Sequence, residues 1–218
     1  MLQQGWRVEY SAASDSFTAC PEGFREFYNQ RRRWMPSTFL NSWDLLTDYK
    51  RVVRNNDDIS IFYIFYQILL MVGTVIGPGS IILMLSGAFS MAFPLTDAMG
   101  MLVSLCPVIL FVAVCFTCKS DTQLRVAEFL TVGYALIMVA MIVAIAIQIV
   151  QNPTSLAAMG IAFFMGIYPL AGILHPQEIK CLPMIVPYFL TIPSMYLLLV
   201  IYSVFNLNNV SWGTRYAY

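Results

Sequence analysis

Residues 61–93 read IFYIFYQILLMVGTVIGPGSIILMLSGAFSMAF. The run carries no charge, and its only side-chain amide is Gln67. A bilayer core near 30 Å needs about 20 apolar residues in a helix. At about 1.5 Å per residue this run would extend roughly 50 Å, too far for one straight crossing. Gly77-Pro78-Gly79 near its middle should break or kink it, because proline lacks an amide donor and glycine stiffens nothing. Either half alone is short, so the reading is one crossing with a break. Broken backbone at membrane depth is tolerated where protein buries it or a wet cavity lines it. Gly77, Pro78 and Gly79 are therefore a candidate gate or tunnel-mouth element, with a simple structural kink as the alternative.

Four further apolar runs follow at about 101–118, 126–150, 156–174 and 182–205, so the expected membrane region holds five helices over residues 59–205. Across the chain 59% of residues are apolar, 11% are charged and the mean hydropathy is +0.70. Those values exclude an ordinary soluble globule and a nucleic-acid binder with a basic face. Charge is concentrated at the front: eight of the twelve Lys and Arg and eight of the twelve Asp and Glu precede Ile59. Counting alternate crossings from a cytosolic front puts Lys119, Arg125 and Lys180 inside, and leaves the loops 94–100 and 151–155 outside without a basic residue. Residues 206–218 then fall outside, where Asn209-Val210-Ser211 would be a glycosylation sequon. The only histidine, His175, precedes Pro176 at a segment end and reads as a headgroup-level turn residue. Cys115 and Cys118 form a C-x-x-C, with Cys181 far downstream; packing in apolar stretches explains them better than a metal cage.

Upstream, Trp6, Val8 and Tyr10 alternate like a short strand, and a Ser/Asp-rich loop follows. Pro21 and Glu22 suit a helix start, giving a helix from Pro21 to about Trp34. In Gln30-Arg31-Arg32-Arg33-Trp34, the 100° spacing puts Gln30, Arg33 and Trp34 on one face and turns Arg31 and Arg32 elsewhere. An amide, a guanidinium and an indole on one face suit a sugar diphosphate: hydroxyl contacts, forked contacts to phosphate oxygens, and a flat platform for a pyranose. A basic juxtamembrane cluster anchored by Trp34 against acidic lipid headgroups is the equal alternative. Residues 37–58 then form a separate amphipathic element, with Phe39, Leu46, Tyr49 and Val53 on one face, lying in the membrane interface.

Gln30 to Trp34 matches the Q-x-x-R-W signature of processive family-2 glycosyltransferases. In the full QRRRW form, followed by Ser211-Trp212-Gly213-Thr214-Arg215 and joined by Cys20-Pro21-Glu22-Gly23-Phe24 and Leu174-His175-Pro176-Gln177-Glu178, the chain resembles animal chitin synthases from residue 6 to residue 215. The resemblance implies a division into the C-terminal end of a cytosolic α/β transferase domain (1–36), the interface helix (37–58), a five-helix tunnel (59–205) and an external end (206–218). It implies transfer of N-acetylglucosamine from UDP-N-acetylglucosamine to the non-reducing end of a growing β-1,4 chitin chain, with inversion, and extrusion of that chain through the plasma membrane. Trp34 would stack on the acceptor sugar, Arg33 would contact the donor diphosphate and Gln30 would lie beside the acceptor, with Arg31 and Arg32 adjoining them. Ser211, Trp212, Gly213, Thr214 and Arg215 would mark the exit side. The family's general-base and Asp-x-Asp metal motifs do not occur, so no catalytic residue and no metal ligand is assigned here. Mg or Mn is expected to be held by residues outside the chain, and the fragment alone is expected to be inactive. Membrane lipids and nascent chitin are the expected partners, a homo-oligomer is admitted, and nucleic acid is not expected. The competing readings are a small multipass transporter or channel and a hyaluronan or cellulose synthase. The five segments contain only Gln67 and Gln148 as amides and no mid-segment charge, which disfavours ion transport.

Overall fold

A computed structural model describes residues 4–209 except 7, 12, 15 and 94, and at 91 and 157 the backbone only. Helices dominate: α1 (Phe24–Thr47), α2 (Tyr49–Asn55), α3 (Ile61–Ala92), α4 (Asp97–Thr117), α5 (Ser120–Gln151) and α6 (Leu156–Leu174). A 3₁₀ stretch (Pro176–Met184), α7 (Ile185–Pro193), a π turn (Ser194–Leu198) and α8 (Leu199–Phe205) complete them. Three helices begin on side-chain caps that relieve orphan amides. Ser60 accepts from the Tyr63 amide, Thr96 from Met99 and Ser155 from Ala158. The alternation at Trp6, Val8 and Tyr10 forms no strand among the described residues. A lone strand has no neighbouring ladder here to satisfy its amides.

Four stretches are long and apolar enough to cross a membrane: Ile61–Ser90, Asp97–Thr117, Ser120–Gln151 and Pro176–Phe205. Their outward faces are bare, with Phe62 81%, Phe129 78% and Leu136 68% exposed. Apolar surface on this scale requires lipid or protein cover. The fifth expected segment is α6, an apolar helix of 19 residues, Leu156–Leu174.

The expected break at Gly77-Pro78-Gly79 is absent, and α3 runs through it as one helix of 32 residues. Proline removes only the bond to the Thr74 carbonyl, a local loss that a helix of 32 residues absorbs. The hydroxyls on either side bond back within the same helix, Thr74 Oγ1 to the Leu70 carbonyl at 2.9 Å and Ser80 Oγ to the Gly77 carbonyl at 2.7 Å. Pro36, Pro107 and Pro169 likewise sit inside α1, α4 and α6.

The core forms where α1, α3, α4, α5 and the last helical stretch converge, around Tyr28, Leu85, Phe111, Leu124, Leu197 and Tyr202. Helix α8 runs antiparallel to α5: Thr131 meets Ser194, whereas Ser120 meets Tyr202 and Gln123 meets Asn206. Phe205 packs edge-on against Phe116 at the end of α4, with ring centroids 4.5 Å apart. Asn206 therefore lies at the same end of the bundle as the α4–α5 connection. For residues 206–209 this differs from the alternate count, which puts them opposite the 119–125 loop; residues 210–218 lie outside the described residues.

Candidate functional site

Helix α1 begins on Gly23, whose carbonyl accepts from the Phe27 amide at 3.0 Å. It continues through Pro36 to Thr47, so the expected helix Pro21–Trp34 and the first part of the expected element 37–58 share one helix. The missing amide of Pro36 leaves the Arg32 carbonyl without its helical donor, a local loss that the rest of a 24-residue helix outweighs. The chain turns instead at Asp48 and resumes as α2, where Val52 is buried and Lys50, Arg51 and Arg54 are exposed. Leu45, Val52, Ile59 and Ile64 close a second small core there. The expected amphipathic pattern is present, but Phe39 and Trp43 stack on each other in the open instead of joining that core.

One face of α1 is clamped. Tyr28, 1% exposed, stacks on Phe24 and lies 2.6 Å from Ser194 Oγ and 3.0 Å from the Ser194 carbonyl. Ser194 Oγ is 2.7 Å from Thr131 Oγ1, which itself donates to the Ala127 carbonyl at 2.7 Å. Each hydroxyl has one proton: Thr131 donates to the Ala127 carbonyl, so Ser194 donates to Thr131, and the single Tyr28 proton is shared between Ser194 Oγ and the Ser194 carbonyl. Burial drives the Tyr28 phenol well above its ordinary pKa, against the lowering effect of the hydrogen bonds, and keeps it a neutral donor. Beside it Tyr202 donates to Asn29 Oδ1 at 2.9 Å and accepts from Ser120 Oγ at 2.7 Å. Asn206 Nδ2 donates to Gln123 Oε1, and Gln123 Nε2 holds the Cys115 and Cys118 carbonyls at the end of α4. Arg25 pairs with Asp121 and Glu128 at 2.7 and 3.1 Å. These ion pairs are partly exposed and contribute little, about 1 kcal/mol or less each; the buried hydroxyl chain is the specific fastening.

The other face is open. Between α1 and the first half of α3 lies a cleft of about 910 Å³. Arg31, Trp34, Thr38, Asn41, Ser42 and Asp44 line it from α1, and Tyr63, Gln67, Leu70, Met71 and Thr74 from one stripe of α3. Trp34 is half exposed, and the Arg31 guanidinium sits over its ring at 4.8 Å and over the Phe27 ring at 5.3 Å. This sandwich holds the guanidinium and indole together. Arg31 thus shares the Trp34 face, which corrects its assignment elsewhere on the helix. Gln30 and Arg33 are half-buried and not among the residues lining the cleft, and Arg32 is buried. The cleft ends at Thr74, one turn before Gly77 and Pro78. At Gly77 and Gly79 no neighbour lies within 4 Å of where a Cβ would sit.

Sequence reasoning missed Tyr28, Asn29, Ser194 and Tyr202. Their signal was available, since polar side chains within or beside an apolar segment need partners. The expected pairing of Gln30 with Trp34 drew attention to the wrong stripe. His175 is exposed at the α6 C-terminus, with its amide on the Ala171 carbonyl, as a turn residue should be. Cys115 is buried and Cys181 exposed, and the described residues contain no group of three or more His, Cys, Asp or Glu that could hold a metal. The divalent metal expected of the resembling enzymes has no fitting donor set among them. Asn209 is exposed just beyond α8, at the Gln123 end of the bundle. The motif Ser211, Trp212, Gly213, Thr214 and Arg215 lies outside the described residues.

No protein-family model matches the chain. Among curated proteins, it is 48% identical over 217 residues to a chitin synthase of Meloidogyne artiellia, covering 99% of this chain and 12% of that protein. Chitin synthase chs-2 of Caenorhabditis elegans is 45% identical, over 99% of this chain and 13% of its own length. Chitin synthase chs-1 of the same nematode is 46% identical, over 100% of this chain and 16% of its own. The chain spans about an eighth of the length of the relatives it matches, and over almost all of its own length it is similar to a segment of these chitin synthases.

Proposed function

We propose that this chain supplies the acceptor-sugar site and part of the export path of a membrane chitin synthase. The observation that carries the reading is the α1–α3 cleft, which joins Trp34 and Arg31 of the QRRRW motif to an amphipathic wall. A polysaccharide offers hydroxyls and amides around its edge and apolar C–H faces above and below. A half-exposed indole meets the faces, while Thr38, Asn41, Ser42, Asp44 and Gln67 offer donors and acceptors for the edges. Transfer of N-acetylglucosamine from UDP-N-acetylglucosamine to a chitin chain requires an in-line displacement at the donor anomeric carbon. Rigid placement of the acceptor hydroxyl is the term this chain provides. Trp34 holds the terminal sugar with Arg31 beside it, while Gln30 and Arg33, outside the cleft on the same helix, face the donor side. The general base and the divalent metal that neutralises the departing diphosphate belong to the remainder of the full-length enzyme.

The new chain leaves along the cleft toward Thr74 and the Gly77-Pro78-Gly79 turn, into the membrane bundle. Helix α1 faces the cytosol, which puts Asn209 on the cytosolic side as well, away from the glycosylation machinery. Inversion, processivity and extrusion through the plasma membrane are part of this reading, as is inactivity of the segment by itself. The test is polymer synthesis from UDP-N-acetylglucosamine by membranes containing full-length enzyme with Trp34→Ala. Loss of insoluble polymer at normal enzyme content is expected, with partial retention in Trp34→Phe. Near-normal polymer from Trp34→Ala would end the assignment.

A further inference from the structure

The last helical stretch is not uniform. At Ser194–Leu198 it widens into a π turn directly after Pro193, and the Leu199 amide reaches back five residues to the Ser194 carbonyl. That same carbonyl also faces the Tyr28 hydroxyl at 3.0 Å, and the Ser194 side chain lies 2.6 Å from it. A widened turn swings a carbonyl outward and makes it available to a second donor, and such turns recur where helices serve a function. Here the second donor comes from the helix that carries Trp34. Tyr28 and Trp34 are six residues apart, about 9 Å along the axis and about 120° around it. The clamped face and the cleft face therefore belong to one rigid rod, and a shift at Tyr28 is carried to Trp34.

We infer that Tyr28 and Ser194 are positioning residues: the π turn of the final helix sets the position of Trp34 through a buried hydroxyl chain. The inference rests on the acceptor-site reading of Trp34. Both residues are buried, Tyr28 at 1% and Ser194 at 2%, and their chain ends on the Ala127 carbonyl through Thr131, so α1, α5 and the π turn meet at one point. A matched control exists in the same core: Tyr134 is 2% exposed, and its hydroxyl has no hydrogen-bond partner among the described residues.

The experiment uses full-length enzyme in membranes, with Tyr28→Phe, Ser194→Ala, the double variant, Tyr134→Phe and Trp34→Ala, each corrected for folded enzyme content. Tyr28→Phe and Ser194→Ala should each lower kcat about three- to tenfold, the range expected for one lost hydrogen bond. The KM for UDP-N-acetylglucosamine should stay within about twofold, because the donor site is not displaced. The double variant should be no worse than the single ones, and Tyr134→Phe should match wild type. Unchanged kcat in Tyr28→Phe, or equal loss in Tyr134→Phe, would overturn the inference, as would additive losses in the double variant or a fall in enzyme amount alone. If Trp34→Ala makes polymer normally, the underlying reading falls instead, which separates the two failures.

Discussion

Helix α1 meets the membrane bundle on two sides, and the two contacts are built on opposite principles. Against α5 and the last helix it is buried, with Tyr28 and Tyr202 nearly inaccessible and their hydroxyls satisfied. Against α3 it stands off, leaving a cleft of about 910 Å³ with Trp34 half exposed. A ligand platform is useful only if its scaffold does not move, because misplacement by about an ångström forfeits orientation. On the proposed reading, the clamped side supplies the rigidity and the open side the recognition.

The sharpest way to break this comparison is to strike each side separately. On the open side, Trp34→Ala should reduce polymer formation at least tenfold at unchanged enzyme content, measured as radiolabelled insoluble product. On the clamped side, Tyr202→Ala removes a fully buried ring with two hydrogen bonds, and should destabilise the fold by about 3–5 kcal/mol. That loss should appear as a lower unfolding temperature in detergent. Gly100 is the contact point of α3 and α4, where an added Cβ would come within 2.9 Å of the Ser86 carbonyl and would also collide with Ser90 Oγ. Gly100→Ala should therefore cost about 1–3 kcal/mol by the same measurement. The smallest effect is expected at Gly79→Ala. A continuous helix with open space at that position gains about 0.4–1 kcal/mol in stability from the substitution, whereas a hinge that must open would lose polymer output.

Much of the fold was legible because long uncharged runs permit few structures. The helices beginning near Ile61, Ser120 and Leu156 follow directly from hydropathy. What was not legible depended on neighbours. Pro78 looked like a break, yet its helix continues because one missing bond is a local loss in a helix of 32 residues. The side of the bundle on which Asn206 lies could not come from counting segments, since it depends on the packing of the last helix against α5 through Gln123 and Asn206. Within the site, the QRRRW motif located the helix but not its working stripe. Periodicity alone grouped Trp34 with Gln30 and Arg33, and only the approach of α3 selects Arg31, Thr38 and Asn41 as its companions. Tyr28 escaped notice because its partner lies 166 positions away.

The central claim is that the α1–α3 cleft carries the sugar chain. A photo-crosslinking amino acid placed at Thr38, at Gln67 or at Phe62 of the full-length enzyme tests it during synthesis from radiolabelled UDP-N-acetylglucosamine. Thr38 and Gln67 line the cleft, while Phe62 is 81% exposed and outside it. The account predicts labelled polymer covalently retained at Thr38 and Gln67 and none above background at Phe62. Label at Phe62 equal to that in the cleft, or no label at either cleft position in an enzyme still making polymer, would contradict it.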